Sequence, residues 1–233
     1  MRHDPGAVML FAAGFGTRMG ALTRTRPKPL IEVAGRSLLD HALDLAEGAG
    51  IPRRVVNAHY LAEQVVAHLD GSGIAVSIEA PEILDTGGGL RAALPLLGPG
   101  AVFTLNTDAV WTGPNPLAAL AEAWDPARMD ALLLLIPASR ARGHSGAGDF
   151  TLSPDGRIER GPGLIYTGAQ ILNPDGLAEI PETVFSLNRL WDRIGRDGRL
   201  CGVVHRGGWC DVGRPEGIAE AEAMLADPPD LVP

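Results

Sequence analysis

The chain contains one lysine, Lys28, against 19 arginines, so nearly every cationic position is filled by a guanidinium. Cysteine is almost as scarce. Cys201 and Cys210 are too few and too widely spaced for a disulfide framework or a CxxC redox or zinc site, and a reduced cytoplasmic protein is the reading that follows. No apolar run approaches the ~20 residues needed to cross a bilayer. The run "AVMLFAAG" follows the acid-containing "MRHDP" and breaks at once into "GFGTR", which reads as a buried strand rather than a signal peptide. An overall basic surface is missing as well: a net charge of −8 argues against non-specific nucleic-acid binding, which draws on clustered cations. One segment reverses that sign. Between Arg18 and Arg36 stand five cations (Arg18, Arg24, Arg26, Lys28, Arg36) and a single acid, Glu32, which offers an anionic ligand a place to bind.

What is present alternates. The continuous apolar run "AVMLFAA" (7–13) predicts a strand buried on both faces, as in the middle of a parallel sheet. "SLLDHALDLAEGAG" sets Leu38, Leu39, Ala42, Leu43, Ala46 and Ala49 at helical spacing behind Ser37 as N-cap. "RRVVNAH", "IAVSIEA", "AVFTLN" and "DALLLLIPA" predict further strands, with "YLAEQVVAHL", "GGGLRAALPLL" and "NPLAALAEAW" as helices between them. Such alternation predicts an α/β protein with a doubly wound, mostly parallel, Rossmann-like sheet. From about residue 149 the pattern turns β-rich. It holds a hairpin "DFTLSPDGRIER", a strand "LIYTGAQIL", a helix "ETVFSLNRLWDRI", a strand "RLCGVVHR" and a closing helix "RPEGIAEAEAMLAD". The expected organisation is one domain over residues 1–226, its sheet made mixed by a small β-rich subdomain, with 227–233 as a frayed tail.

A buried strand running into "GFGTR" delivers backbone amides to the carboxyl edge of the sheet, where ligands of such sheets bind. Consecutive amides form an anion nest, although Gly14-x-Gly16 would equally serve to turn the chain. Neither familiar phosphate loop fits: Met19 replaces the third glycine of G-x-G-x-x-G, and no G-K-[ST] is present. The loop is followed instead by Arg18 and then by Lys28, flanked by Pro27 and Pro29, which predict extended backbone around the ammonium. A rigidly held ammonium near such a loop is a point charge aimed at something. Asp108, just past "AVFTLN", and Asp211, between glycine-bounded turns in "GWCDVG", are each either a turn residue or a metal-ligating carboxylate. Cys210, His41, His59, His68 and His205 read as packing residues.

The stretch "FAAGFGTRMGALTRTRPKPL" resembles the signature of the sugar-phosphate nucleotidyltransferases, L-A-A-G-x-G-T-R followed by P-L-T and P-K-P. The resemblance continues through "LDTGGGLRAAL", "LNTDAVW", "GHSGAGDF", "YTGAQILNP" and "GWCDVGRPE". In its compact length, triple glycine and G-x-G-D-F run the chain is similar to the bacterial N-acetylmuramate alpha-1-phosphate uridylyltransferases. Two departures stand out. "GALT" lacks the usual proline, and one extra residue follows the aspartate in Asn106-Thr107-Asp108-Ala109-Val110-Trp111, where the family reads N-G-D-V-W.

What the resemblance implies is specific. It implies uridylyl transfer from UTP to N-acetylmuramic acid α-1-phosphate, a cell-wall recycling step, with Mg²⁺ as cofactor. A mannose-1-phosphate guanylyltransferase or related hexose-1-phosphate enzyme is the alternative, and a non-catalytic nucleotide-sensing relative the alternative of another class. Residues 1–137 then form the nucleotide-binding half and 138–226 the sugar-binding half. Ala13, Gly14, Gly16, Thr17 and Arg18 fall on the triphosphate loop, with Arg18 and Lys28 as catalytic cations. Gly87, Gly88 and Asn106 fall on nucleotide contacts, Asp149 and Gly168 on the sugar-phosphate side, and Asp108 and Asp211 on the metal ligands. The chemistry needs such a set, because both substrates are polyanions whose reacting oxygens must be held in line and whose charge must be offset.

Overall fold

The computed structural model describes residues 5–231. In chain order it comprises β1 (Ala7–Phe11), the short hairpin β2 (Glu32–Val33) and β3 (Arg36–Ser37), α1 (Leu38–Gly48), β4 (Arg53–Ala58), α2 (Ala62–His68), β5 (Ala75–Ile78), α3 (Asp85–Leu97) and β6 (Val102–Asn106). These are followed by β7 (Ala109–Trp111), α4 (Pro116–Ala123), β8 (Ala131–Pro137), β9 (Ala141–Arg142), β10 (Phe150–Leu152), β11 (Ile158–Arg160) and β12 (Leu164–Leu172). The last elements are α5 (Asn188–Arg196), β13 (Leu200–Val204), β14 (Trp209–Asp211) and α6 (Glu216–Ala226).

The apolar run of β1 is continuous because both its faces are covered. Val8 and Leu10 pack with Leu39 and Leu43 of α1 and Leu117 and Leu120 of α4. Ala7 and Met9 pack on the other face with Leu90, Ala93 and Leu97 of α3 and Leu190 and Trp191 of α5. Full burial of each large side chain contributes roughly 1.5–3 kcal/mol, so this strand anchors both halves of the core. Helix α1 starts where its sequence says: the Ser37 hydroxyl accepts from the Asp40 amide at 3.0 Å. At α4, Asn115 caps the helix and Pro116 fills its first position, where no amide is needed.

Strands β6, β1, β4 and β5 are parallel neighbours, as alternation requires. The sheet becomes mixed at β12, which runs antiparallel to β6 along one edge and to β8 along the other, with β13 parallel to β8 beyond it. The β10–β11 hairpin joins the same sheet through Phe150 and Leu164, so β10 to β13 extend the main sheet.

Three local expectations are corrected. A second, three-stranded sheet, β7-β14-β9, stands where only loops were expected. The helix expected from residue 182 begins at Asn188, because the preceding segment is drawn onto the start of α3: Phe185 donates its amide to Leu84 and accepts from Gly87 and Gly88. The segment expected as a frayed tail is tied down at Asp230, whose carbonyl accepts from Arg140 at 2.6 Å; residues 232–233 lie outside the described residues.

Candidate active site

The loop leaving β1 carries the chain across the carboxyl edge of the sheet. Ala12 and Ala13 are buried and Gly14 is exposed. Gly16 takes a left-handed conformation (φ 63°), and a Cβ there would lie 2.8 Å from Cβ of Lys28 and 2.9 Å from Thr23. Only glycine satisfies both demands. Thr17 and Arg18 then enter a 3₁₀ turn whose buried anchor is Met19. Met19 packs with Leu38, Val110, Cys210 and Val212, which is why no third glycine stands there.

Lys28 lies on the other side of Gly16. Pro27 is extended, but Lys28 opens a single 3₁₀ turn, Lys28–Leu30, rather than continuing the extended backbone expected of it. Pro29 is tolerated because its missing amide falls in the first turn, where it has no intrahelical partner to lose. The side chain is 11% exposed and its ammonium donates to Asp108 Oδ2 at 2.8 Å.

Asp108 sits between β6 and β7, its carbonyl accepting from the amide of Val212 at 2.8 Å. Asp211 ends β14, one rung away, opposite Ala109. The strand pair therefore brings two aspartates distant in sequence to one place, and the residues after Asp108 are absorbed into β7. Burial, and after it the charge of Asp108, holds the Asp211 carboxyl above the usual carboxylate range, against the pull of Lys28, Arg18 and His144. Gly213 lies between the Asp211 carboxylate and the Arg18 guanidinium. Two carboxylates that repel one another in a partly desolvated corner fit a hard divalent cation. Among the described residues no third carboxylate, histidine or cysteine joins them, which suits an ion that takes its remaining oxygens from phosphates and water.

A cavity of about 240 Å³ extends from this corner, lined by Ala13, Gly14, Lys28, Asn106 and Asp108, among others. Its floor is a buried polar chain absent from the expectations above. The Ala12 amide donates to Asn57 at 2.7 Å, Asn57 donates to Glu79 at 2.6 Å, and Glu79 also accepts from the Leu84 amide at 2.7 Å. A polar residue ending each of two apolar strands at the ligand edge was the available signal.

The expected base contact from Gly87 and Gly88 is redirected. Both amides donate to the Phe185 carbonyl, at 2.9 and 3.1 Å, and the turn meets the cavity through Asp85 and Thr86 instead. The triple glycine is a close-packing device. A Cβ at Gly88 would lie 2.4 Å from the Thr183 carbonyl oxygen. Alanine normally outranks glycine in a helix by up to about 1 kcal/mol; here Gly88→Ala is expected to destabilise by about 1–3 kcal/mol through overpacking. A lowered urea midpoint with unchanged slope is the readout, and a stabilised variant would contradict it.

A second, outer cavity of about 310 Å³ shares Phe11, Asp85, Thr86 and Asn106 with the first and is further walled by Asp149, Phe150, Arg160, Tyr166 and Trp191. Asp149 lines it with one oxygen held by the Tyr166 amide at 2.9 Å. Gly168 does not. It lies at the irregularity in β12, directly against the Asn106 side chain, and so sets the position of Asn106. Cys210 is fully buried and its thiol is pushed up to about 12, first by burial, so it offers no thiolate.

Residues 8–150 match the MobA-like NTP transferase domain. The chain is 44% identical to the N-acetylmuramate alpha-1-phosphate uridylyltransferase of Caulobacter vibrioides, over 97% of this chain and 100% of that protein. It is 36% identical to the protein of the same name from Neisseria meningitidis serogroup B, over 93% of this chain and 96% of that one. In fold it is similar to HddC from Yersinia pseudotuberculosis, whose crystal structure is complexed with GMP-PN: TM-score 0.75, 21% identity, 94% of this chain and 99% of that chain covered.

Proposed function

The chain belongs to the MobA-like NTP transferase family, and from that membership we propose that it transfers a uridylyl group from UTP to N-acetylmuramic acid α-1-phosphate, giving UDP-N-acetylmuramic acid and pyrophosphate. The observation that carries the substrate choice is the 44% identity to an N-acetylmuramate alpha-1-phosphate uridylyltransferase along the whole of that protein.

In this reading the inner cavity receives the nucleotide and the outer one the sugar, with the two phosphates meeting near Asn106, whose side chain borders both. The amides of Ala13, Gly14, Gly16 and Thr17 cradle the triphosphate, and Arg18 takes its outer charge. Lys28 turns its ammonium from Asp108 to the α-phosphate, where negative charge moves toward the departing pyrophosphate. An oxygen of the sugar 1-phosphate forms the new bond to the α-phosphorus as the α–β bridging bond breaks, so no covalent enzyme intermediate is needed. Bound Mg²⁺, held by Asp108 and Asp211, would neutralise the phosphates as they approach. Asp149 positions the sugar, and Gly168 acts through Asn106.

No helix among the described residues is long and apolar enough to cross a membrane. We place the activity in the cytoplasm, as a peptidoglycan-recycling step. The test is pyrophosphate release from UTP, GTP, dTTP and CTP paired with the 1-phosphates of N-acetylmuramate, N-acetylglucosamine, mannose and glucose. UTP with N-acetylmuramate 1-phosphate is expected to have the highest kcat/KM. A preference for GTP with mannose 1-phosphate by more than tenfold, about 1.4 kcal/mol, would overturn the assignment, and no turnover of any pair would favour a nucleotide sensor.

A further inference from the structure

The outer cavity contains a charge that phosphate chemistry does not require. Among the described residues its one lining cation is Arg160, the last residue of β11, set among the aromatic side chains of Phe150, Tyr166 and Trp191. The cations of the phosphate corner, Lys28 and Arg18, belong to the other end of the site.

Arg160 is held in a fixed plane. Its guanidinium carbon lies 5.6 Å from the Phe150 ring centre and 5.9 Å from that of Trp191. Nε donates to Asp192 at 3.0 Å and Nη2 to Asn188 at 3.1 Å. Nη1 donates to no group among the described residues. Both members of the Arg160–Asp192 pair are 49% exposed, so water screens that pairing and the guanidinium keeps attraction for a second anion. Asp149 and Asp85, the two carboxylates lining the same cavity, already accept backbone amides, from Tyr166 and Thr86.

We propose that Arg160 is the specificity-determining residue that reads a carboxylate on the sugar substrate, a group remote from the reacting phosphate. The proposal rests on the assignment of N-acetylmuramic acid α-1-phosphate as acceptor. That sugar differs from its N-acetylglucosamine counterpart by a lactyl ether, which carries a carboxylate. A planar guanidinium with a free edge, stiffened by aromatic faces, is the side chain best matched to a carboxylate. The aromatic walls meanwhile suit the apolar face of a sugar ring. Asp192 and Asn188 are positioning residues that hold the fork.

The experiment compares kcat/KM with UTP for N-acetylmuramate 1-phosphate and for its lactamide, in which a neutral amide replaces the carboxylate. Wild type is expected to prefer the acid by roughly ten- to a hundred-fold, the scale of losing a charged partner at a half-exposed site. Arg160→Gln is expected to remove that preference by slowing the acid while leaving the lactamide within a few-fold. Arg160→Lys, which keeps charge but loses the fork, falls between and guards against a merely loosened β11–α5 contact. If Arg160→Gln slows both substrates equally, or keeps the wild-type preference, the proposal is overturned while the acceptor assignment stands. If wild type turns over neither compound with UTP, the acceptor assignment itself fails and takes the proposal with it.

Discussion

Replacing Asp211 with asparagine is expected to lower kcat by at least about a hundred-fold, the scale of losing one charged stabiliser at a reacting phosphate, while raising the stability of the metal-free protein. The two effects have one cause. Burial and the neighbouring Asp108 hold the Asp211 carboxyl above its ordinary range, so its negative charge is unfavourable in the folded state at neutral pH. An acid whose pKa is raised on folding carries a destabilising charge above its folded pKa, relieved only as pH falls through that value toward the unfolded one; an amide removes the charge at neutral pH. A divalent cation is the natural remedy for the repulsion, and it is lost with the charge, because a neutral amide is a poorer ligand for a hard cation. Asp108→Asn should lose turnover on the same scale without the stability gain: its carboxylate is paired with Lys28, and an asparagine oxygen can still accept from that ammonium. Kinetics at several Mg²⁺ concentrations and melting curves in chelator separate the effects. Near wild-type kcat in either variant would remove it from the metal site, and a destabilised Asp211→Asn would refute the repulsion argument.

Lys28→Arg, the mildest change that keeps the charge, is expected to reduce kcat by roughly ten- to a thousand-fold, again on the scale of one electrostatic stabiliser. This chain uses arginine at every other basic position, so composition gives no reason for the exception. Geometry does. The stem of Lys28 runs against Gly16 and is 11% exposed, with its compact ammonium 2.8 Å from Asp108. A guanidinium is wider, planar and forked, and cannot move between a carboxylate and a phosphate in that space. Because charge on the α-phosphate oxygens changes during transfer, the loss should fall on kcat more than on the KM for UTP. A kcat within twofold of wild type would leave Lys28 a structural partner of Asp108.

Much of this was legible in the sequence because it is locally encoded. The apolar run of β1, the Ser37 cap and the alternation up to β8 each depend on neighbours a few residues apart, and the elements stand where the pattern put them. The family signature likewise pointed to Lys28 and Asp108, and the fold brings them into contact across 80 positions. What was not legible is what depends on distant pairing. Nothing in "NTDAVW" or "GWCDVG" announces that they pair as strands, because each is only three residues long and gains its stability from its partner. The resemblance put Gly87 and Gly88 on the nucleotide, but the carbonyl of Phe185, about a hundred residues later, takes both of their amides. Asn57 and Glu79 each stand out as a polar residue at the end of an apolar run, but that they bond to one another depends on the pairing of β4 with β5.

The pairing of β7 with β14 also bears on when the protein becomes competent during its synthesis. The segment carrying the glycine loop, Lys28 and Asp108 leaves the ribosome first, and it coincides with the 8–150 stretch that matches the family domain. It lacks β12, β13 and β14, so it has neither Asp211 nor the strands that complete the sheet beside β6 and β8. A nascent chain at that stage carries Lys28 and Asp108, which pair in the complete fold, but not the second carboxylate of the corner. The corner closes only when Asp211 arrives and β14 can pair with β7. A shortened product that ends before β14 would therefore lack the second carboxylate of the corner.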